Sequence, residues 1–193
     1  MSIFADPSLG IFNLWIITVL YSLPILFTIT FRQRIFEPTS SKFNSSRNSF
    51  EKNLFITSKF LMLGYFLYSI VVPIHLGTVF GVIGLTLYII GYVIYTTSWI
   101  TIAKSEKGKI YSNGPFRYSR HPIYFSSAVQ FVGAGFISQS WVYLGFSIIV
   151  GISHMRNAFV EEQICSEVFG DEYKQYMDCT PRWFGWRLKK PGK

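Results

Sequence analysis

The chain has 193 residues, of which half are apolar, 19% are aromatic and only 15% are charged, with a formal net charge of +8. Soluble domains carry about 25% charged residues. This composition therefore excludes a disordered chain, and it argues against a water-soluble nucleic-acid-binding module despite the basic balance. The length is that of one domain.

Stretches without charge predict the fold class. Residues 7–31, 60–103 and 122–155 contain no Lys, Arg, Asp or Glu, and a helix that crosses a bilayer needs about 20 apolar residues. The first stretch holds one span, and each of the others holds two spans that meet at a turn near residue 75 or residue 139. The predicted spans are residues 11–31, 54–73, 78–101, 122–137 and 141–160. We therefore expect an all-α integral membrane protein, with residues 1–193 forming a single membrane domain.

The basic residues predict the orientation. All 18 Lys and Arg lie in residues 32–59, 104–120 and 156–193, and none lies at the N-terminus or at the two hairpin tips. The positive-inside rule then predicts an N-terminus outside and a C-terminus in the cytosol.

Residues 156–178 predict an amphipathic helix that is broken at Gly170 and followed by a short helix, forming a helical cap on the cytosolic side. Cys165 and Cys179 would lie on that side without the company that a metal site needs, so we expect no metal.

One candidate segment precedes the fourth predicted span. It runs Asn113-Gly-Pro-Phe-Arg-Tyr-Ser-Arg-His-Pro-Ile-Tyr124. Pro122 suits the first turn of a helix, which places His121 at the N-cap beside free backbone N–H groups. Such a helix end can bind an anion or a carboxylate. The plain alternative is that basic residues and His121 merely anchor the helix at the membrane surface.

The second candidate is the pair Glu161-Glu162, at the cytosolic end of the fifth span. Adjacent side chains lie about 100° apart on a helix, so one carboxylate can turn inward while the other meets water. An ionisable residue at the edge of the bilayer is a functional candidate. The alternatives are a solvated pair or a salt bridge to Arg120 or Arg156.

Together, the two segments resemble the isoprenylcysteine carboxyl methyltransferase family, whose members are integral membrane enzymes related to the phospholipid N-methyltransferases. The resemblance rests on Gly114-Pro115-Phe-Arg-Tyr-Ser-Arg-His-Pro-Ile-Tyr124, on Glu161-Glu162 followed by Phe169-Gly170, Tyr173 and Tyr176, and on Pro181-Arg182. It covers residues 100–183, which would form the cofactor-binding and catalytic part. It implies methyl transfer from S-adenosylmethionine to the carboxylate of a C-terminal isoprenylated cysteine or similar lipophilic acid, with S-adenosylhomocysteine as product.

The resemblance also implies the site residues and partners. The active site would lie at the cytosolic face of a multi-pass protein, and the partners would be the lipid bilayer and a prenylcysteine-like substrate, with no nucleic acid. Where the family carries arginine four residues before the Glu pair, this chain has Asn157, with Arg156 beside it. The catalytic candidates are Arg120, Arg156, Asn157 and Glu161. The cofactor-binding candidates are Lys104, Ile110, Tyr111, Phe116, His121, Pro122, Ile123, Tyr124 and Glu161.

The chemistry agrees with these residues. An α-carboxyl group has a pKa of about 3.3–3.7 and is ionised at neutral pH, so methylation needs no general base. Orientation of the two reactants alone supplies about 7–11 kcal/mol.

Three alternative functions remain. A phospholipid amine N-methyltransferase would use the same cofactor site, a membrane sterol reductase would have a longer chain, and a non-enzymatic bundle would leave the two segments unexplained.

Overall fold

The computed structural model describes residues 1–4, 10–31, 49–106 and 109–186. Within them the chain is helical and forms no strand, only two isolated β-bridges. The all-α prediction is therefore confirmed for the described residues. The helices are α1 (Trp15–Phe31), α2 (Ser49–Ser69), α3 (Val79–Lys104), a 3-10 helix (Gly114–Arg117), α4 (Pro122–Ser138), α5 (Trp141–Phe169) and α6 (Asp171–Cys179).

The five long helices overlap the five predicted spans, but all differ from them in their bounds, and α1, α2 and α5 do so by four residues or more. Helix α1 begins at Trp15 rather than residue 11, and α2 ends at Ser69 rather than residue 73. The cause is a pairing that replaces helix at both ends: the N–H of Leu14 donates to the carbonyl of Val72 at 2.9 Å. Helix α5 runs on to Phe169, so the predicted fifth span and the amphipathic helix after it are one helix of 29 residues.

The predicted break at Gly170 is present. Gly170 has a φ of +55°, which lies in the left-handed region that favours glycine. The chain leaves α5 there and at once begins α6. This reversal brings the segment after α6 back toward the start of α4.

Among the described helices, α3 and α4 pack against each other most extensively. A Cβ atom built on Gly84 would lie 2.5 Å from the carbonyl oxygen of Gly133, and one built on Gly133 would lie 2.7 Å from that of Gly84. Neither position has room for a side chain. Small residues that allow backbones to approach in this way are typical of helix packing in lipid. The contact positions α4, whose N-cap residue is His121.

The outer surface of the helices is apolar. Large apolar side chains are exposed along α1, α3 and α5, among them Leu20, Leu23, Val82, Ile83, Ile90, Val93, Ile148 and Ile152. A surface of this extent is unusual for a soluble monomer. Among the described residues, one helix, α3, has the length and hydropathy of a membrane span, and the apolar stretch Trp15–Thr28 is shorter. The number of spans and their orientation stay predictions.

Candidate functional site

His121 lies at the N-cap of α4, as the sequence predicts, and Pro122 occupies the first turn. The first hydrogen bond of the helix runs from the N–H of Phe125 to the carbonyl of His121 at 3.1 Å. The side chain of His121 does not cap the helix. The positive end of the α4 dipole therefore lies beside His121.

The carboxylate of Glu162 is buried at the centre of the site, with its side chain 8% exposed. Arg182 donates from Nε to both carboxylate oxygens at 3.1 Å and from Nη2 to Oε2 at 2.8 Å. The guanidinium of Arg120 lies 3.1 Å from Oε1, and Nε2 of His121 lies 3.1 Å from the same oxygen. Burial raises the pKa of Glu162, but hydrogen bonds from His121 and Arg182 outweigh it, and the pKa falls to about 2.

The neighbouring Glu161 has a different environment. Its side chain is 37% exposed, and its Oε2 lies 3.6 Å from Nδ1 of His121. The expectation that one carboxylate of the pair turns inward while the other meets water is met, with Glu162 as the inner one. Burial lowers the pKa of His121, yet the two carboxylates that flank its ring raise it above the usual value. His121 therefore joins both glutamates to the start of α4.

The segment after α6 is bound to the loop before α4. Residues 176–185 and 116–120 share four hydrogen bonds, so the two segments form one layer under the site. Aromatic rings reinforce the layer, because Phe184 stacks on both Tyr118 and Phe125. The four bonds run from Arg120 N to Pro181 O at 2.9 Å, from Gly185 N to Tyr118 O at 3.0 Å, from Ser119 Oγ to Arg182 O at 3.1 Å and from Tyr176 OH to Phe116 O at 2.7 Å.

Arg182 is a residue to which the sequence assigned no role. It makes the most hydrogen bonds to Glu162, and its guanidinium lies over the ring of Phe159 at 4.3 Å from the centroid. Trp183, beside it, has its ring 6.2 Å from that of His121. Arg182 is 20 residues from Glu162 in the chain, and only the reversal at Gly170 brings it back. The signal in the sequence that could have identified Arg182 is the Pro181-Arg182 pair, which is part of the family resemblance.

The two candidate arginines differ in whether they are accessible to a substrate carboxylate. Arg120 is 10% exposed and bound to Glu162, so it is poorly placed to bind a second carboxylate. Of the alternatives for the Glu pair, the structure contains the salt bridge to Arg120. Arg156 is exposed on α5, and Asn157 beside it is half-buried. Substrate binding by Arg156 or Asn157 stays a prediction.

The remaining cofactor candidates lie at the end of α3, in the loop before α4 and in the first turn of α4. Lys104 is exposed in the last turn of α3, and Ile110 is half-buried. The ring of Tyr111 lies 5.7 Å from that of the buried Phe116. Tyr124 stacks on His121 at 5.7 Å, while Ile123 is half-buried in the first turn of α4. Their role in cofactor binding stays a prediction.

A comparison with known protein families finds a match. The model of the phospholipid methyltransferase family matches residues 76–172, just over half of the chain. The matched range extends from the turn before α3 into α6, so it contains His121, Glu161 and Glu162. A search of curated proteins finds no match to the chain.

Proposed function

We propose, because this chain belongs to the phospholipid methyltransferase family, that it transfers a methyl group from S-adenosylmethionine to the carboxylate of an isoprenylated cysteine or similar lipophilic acid. Family membership and the apolar helix α3 together support a membrane methyltransferase. Methyltransferases of this family normally use S-adenosylmethionine. The acceptor, its partners in the bilayer and the cytosolic position of the site are parts of the proposal.

The observation that carries the proposal is the unequal environment of the two glutamates. Glu162 is saturated by Arg120, His121 and Arg182, so it has no capacity for a ligand. Glu161 is half-exposed and faces only one edge of His121. A carboxylate in that position can accept the ammonium group of S-adenosylmethionine in a charge-assisted hydrogen bond.

The first turn of α4 complements Glu161. Its N–H groups and dipole favour the carboxylate of the same cofactor, and the Ile123 N–H lies ahead of the first hydrogen bond within the helix. The cofactor, when bound, supplies an electrophilic methyl group on a sulfonium. The residues of the chain hold both ends of the amino-acid moiety, exclude water and orient the acceptor, and orientation of the reactants alone can supply about 7–11 kcal/mol.

Cofactor binding tests the site. Glu161→Gln should lower the calorimetric affinity for S-adenosylhomocysteine at least tenfold, because the ammonium loses its counterion while the carboxamide keeps the shape of the side chain. Glu167→Gln is the matched control, since Glu167 is an exposed acid further along α5. Equal affinities of the Glu161 variant and the wild type would contradict the proposed site.

Labelling tests the acceptor. Purified protein is given radiolabelled S-adenosylmethionine with a prenylcysteine acid, with an aminophospholipid, or with no acceptor. The proposal expects label in the acid sample that is released by base, as a methyl ester would be. Base-stable label in the lipid sample would contradict the carboxylate acceptor and identify an amine.

A phospholipid amine is the second candidate acceptor. The observation that favours it is Asn157, which is neutral where the resembling family has a cation for the substrate carboxylate. An ammonium group must lose a proton before methylation, so this candidate requires a base. Among the described residues near Glu161, His121 is flanked by two carboxylates, and its raised pKa disfavours that role.

A further inference from the structure

Helix α5 carries a polar stripe on the face that meets α4. His154, Asn157 and Glu161 are separated by three and four residues, so at 100° per residue they fall within about 60° of one another. Arg156 lies about 100° away from Asn157 on the same scale. The opposite face carries Ile149 and Ile152, both more than half exposed. The stripe extends about 10 Å along α5 from Glu161 to His154.

Two aromatic rings of α4 lie beside His154. The ring of Tyr124 lies 4.8 Å from that of His154 and nearly perpendicular to it, and the ring of Phe131 lies at 6.3 Å. Tyr124 in turn stacks on His121. Tyr124 therefore lies beside both His121, at the proposed cofactor site, and His154.

Within the part of the chain that the structure describes, the side chains of His154 and Asn157 make no hydrogen bond and no ion pair, and both residues are half-buried. None of their polar atoms belongs to the fully buried unpaired atoms of the described residues, so these atoms remain accessible to a ligand. A charged imidazole with no counterion would be costly among apolar rings, so His154 carries one N–H donor and one acceptor nitrogen. The Asn157 amide adds two more donors.

We infer that His154 and Asn157 form the acceptor subsite, an inference that rests on the proposed function. The two side chains donate N–H groups to the carboxylate of the lipophilic acid. The apolar tail of the acid then extends along α4 and α5, away from Glu161. The role of an arginine is taken by neutral donors, and Arg156 is not part of the subsite.

Neutral donors suit this reaction. The carboxylate oxygen attacks the methyl carbon, the O–C bond forms as the C–S bond breaks, and the electron pair of the C–S bond remains on sulfur as a neutral thioether. No proton is released. The acceptor loses its negative charge in the step, so a strong cation beside it would stabilise the ground state more than the transition state. Hydrogen bonds from neutral groups hold the carboxylate with less of that cost.

Direct binding of the acceptor tests the inference. His154→Phe keeps an aromatic ring and removes both nitrogens, and Asn157→Leu keeps the size of the side chain and removes the amide. In protein saturated with S-adenosylhomocysteine, both variants should bind a prenylcysteine acid at least tenfold more weakly by calorimetry. Both should keep the wild-type affinity for S-adenosylhomocysteine. His75→Phe is the matched control, because His75 is exposed in the turn before α3.

The possible outcomes separate the two proposals. Wild-type affinity for the acid in both variants, or a loss confined to Arg156→Ala, would overturn the acceptor subsite while leaving the proposed function intact. Failure of the wild-type protein to bind S-adenosylhomocysteine would overturn the proposed function and this inference with it. Weaker acid binding in either variant, with cofactor affinity preserved in that variant, would support the subsite.

Discussion

Glu162 is a buried charge whose three partners come from two distant parts of the chain. Arg120 and His121 precede α4, and Arg182 follows α6. Removing one member of such a group leaves the others uncompensated, which is more costly than the net contribution of the intact group. We therefore expect Glu162 to contribute mainly to stability, whereas the proposed function assigns ligand binding to its neighbour Glu161.

The first prediction follows from this difference. Glu162→Gln should lower the free energy of unfolding by about 3 kcal/mol, because two guanidinium groups lose their counterion in a buried setting. Thermal unfolding in detergent, followed by circular dichroism, measures the change. Glu161→Gln should leave the transition within about 1 kcal/mol of the wild type, since that carboxylate is partly solvated. A similar loss of stability in both variants would contradict the distinction.

The free energy of unfolding should also depend on pH, with stability lost at both the acidic and the alkaline end of the pH range. The pKa of Glu162 is about 2 in the folded protein, below its usual value of 4.5, so its contribution is complete above about pH 4.5 and is lost as the pH falls toward 2. The pKa of His121 is raised above 6.5. Its contribution is therefore complete below pH 6.5 and is lost as the pH rises through the folded value. Unfolding temperatures measured across pH should show both limbs.

Variants assign the two limbs. Glu162→Gln should flatten the acid limb, because the glutamine has no proton to gain. His121→Gln should remove the alkaline limb in the same way. A wild-type acid limb retained in the Glu162 variant would mean that other carboxyl groups cause the acid loss of stability.

The division of labour in the Glu pair was only half predictable. The 100° rotation between adjacent helical residues implies that the two carboxylates differ. Which one lies inside depends on Arg182, and its approach depends on the left-handed conformation of Gly170. No local pattern of residues encodes that long-range contact.

At the scale of elements, charge-free stretches were sufficient to locate the five long helices, since apolar segments of this length have few other stable forms. Their ends were less predictable. The amide of Asn13 donates to the carbonyl of Ile70 at 2.6 Å, and this contact between distant residues ends α2 early and starts α1 late. Continuity of α5 past residue 160 was missed because the change in composition there suggested a boundary that the backbone does not have.

The contact between α3 and α4 gives a prediction at this scale. Gly84→Ala should destabilise the protein by about 1–3 kcal/mol, because the new methyl group would meet the Gly133 backbone at 2.5 Å. Gly145→Ala, also within a helix, has no atom within 4 Å of the added carbon and should stabilise slightly through helix propensity. Thermal unfolding of both variants checks the opposite signs. Destabilisation by both would mean that glycine flexibility, and not close packing, is required.

At the scale of the whole molecule, the distribution of basic residues predicts which ends of the helices share a side of the membrane. With Cys165 and Cys179 replaced by serine, Lys104→Cys should react with a membrane-impermeant maleimide in inside-out vesicles and not in intact cells. Gly77→Cys, at the opposite end of α3, should show the reverse. A permeant maleimide should label both variants and serves as the control. Labelling of both positions from one side would contradict the predicted topology of α3.

The pairing of residues 176–185 with residues 116–120 has a consequence for synthesis. Arg182 leaves the ribosome about 60 residues after Arg120, which at about 5–20 residues per second is roughly 3–12 s. By the end of that interval the five long helices have been synthesised, but Glu162 still lacks Arg182 and the loop before α4 lacks the segment that binds it. A chain that ends near residue 175 and has been released from the ribosome should therefore insert its long helices and yet be unable to retain S-adenosylmethionine.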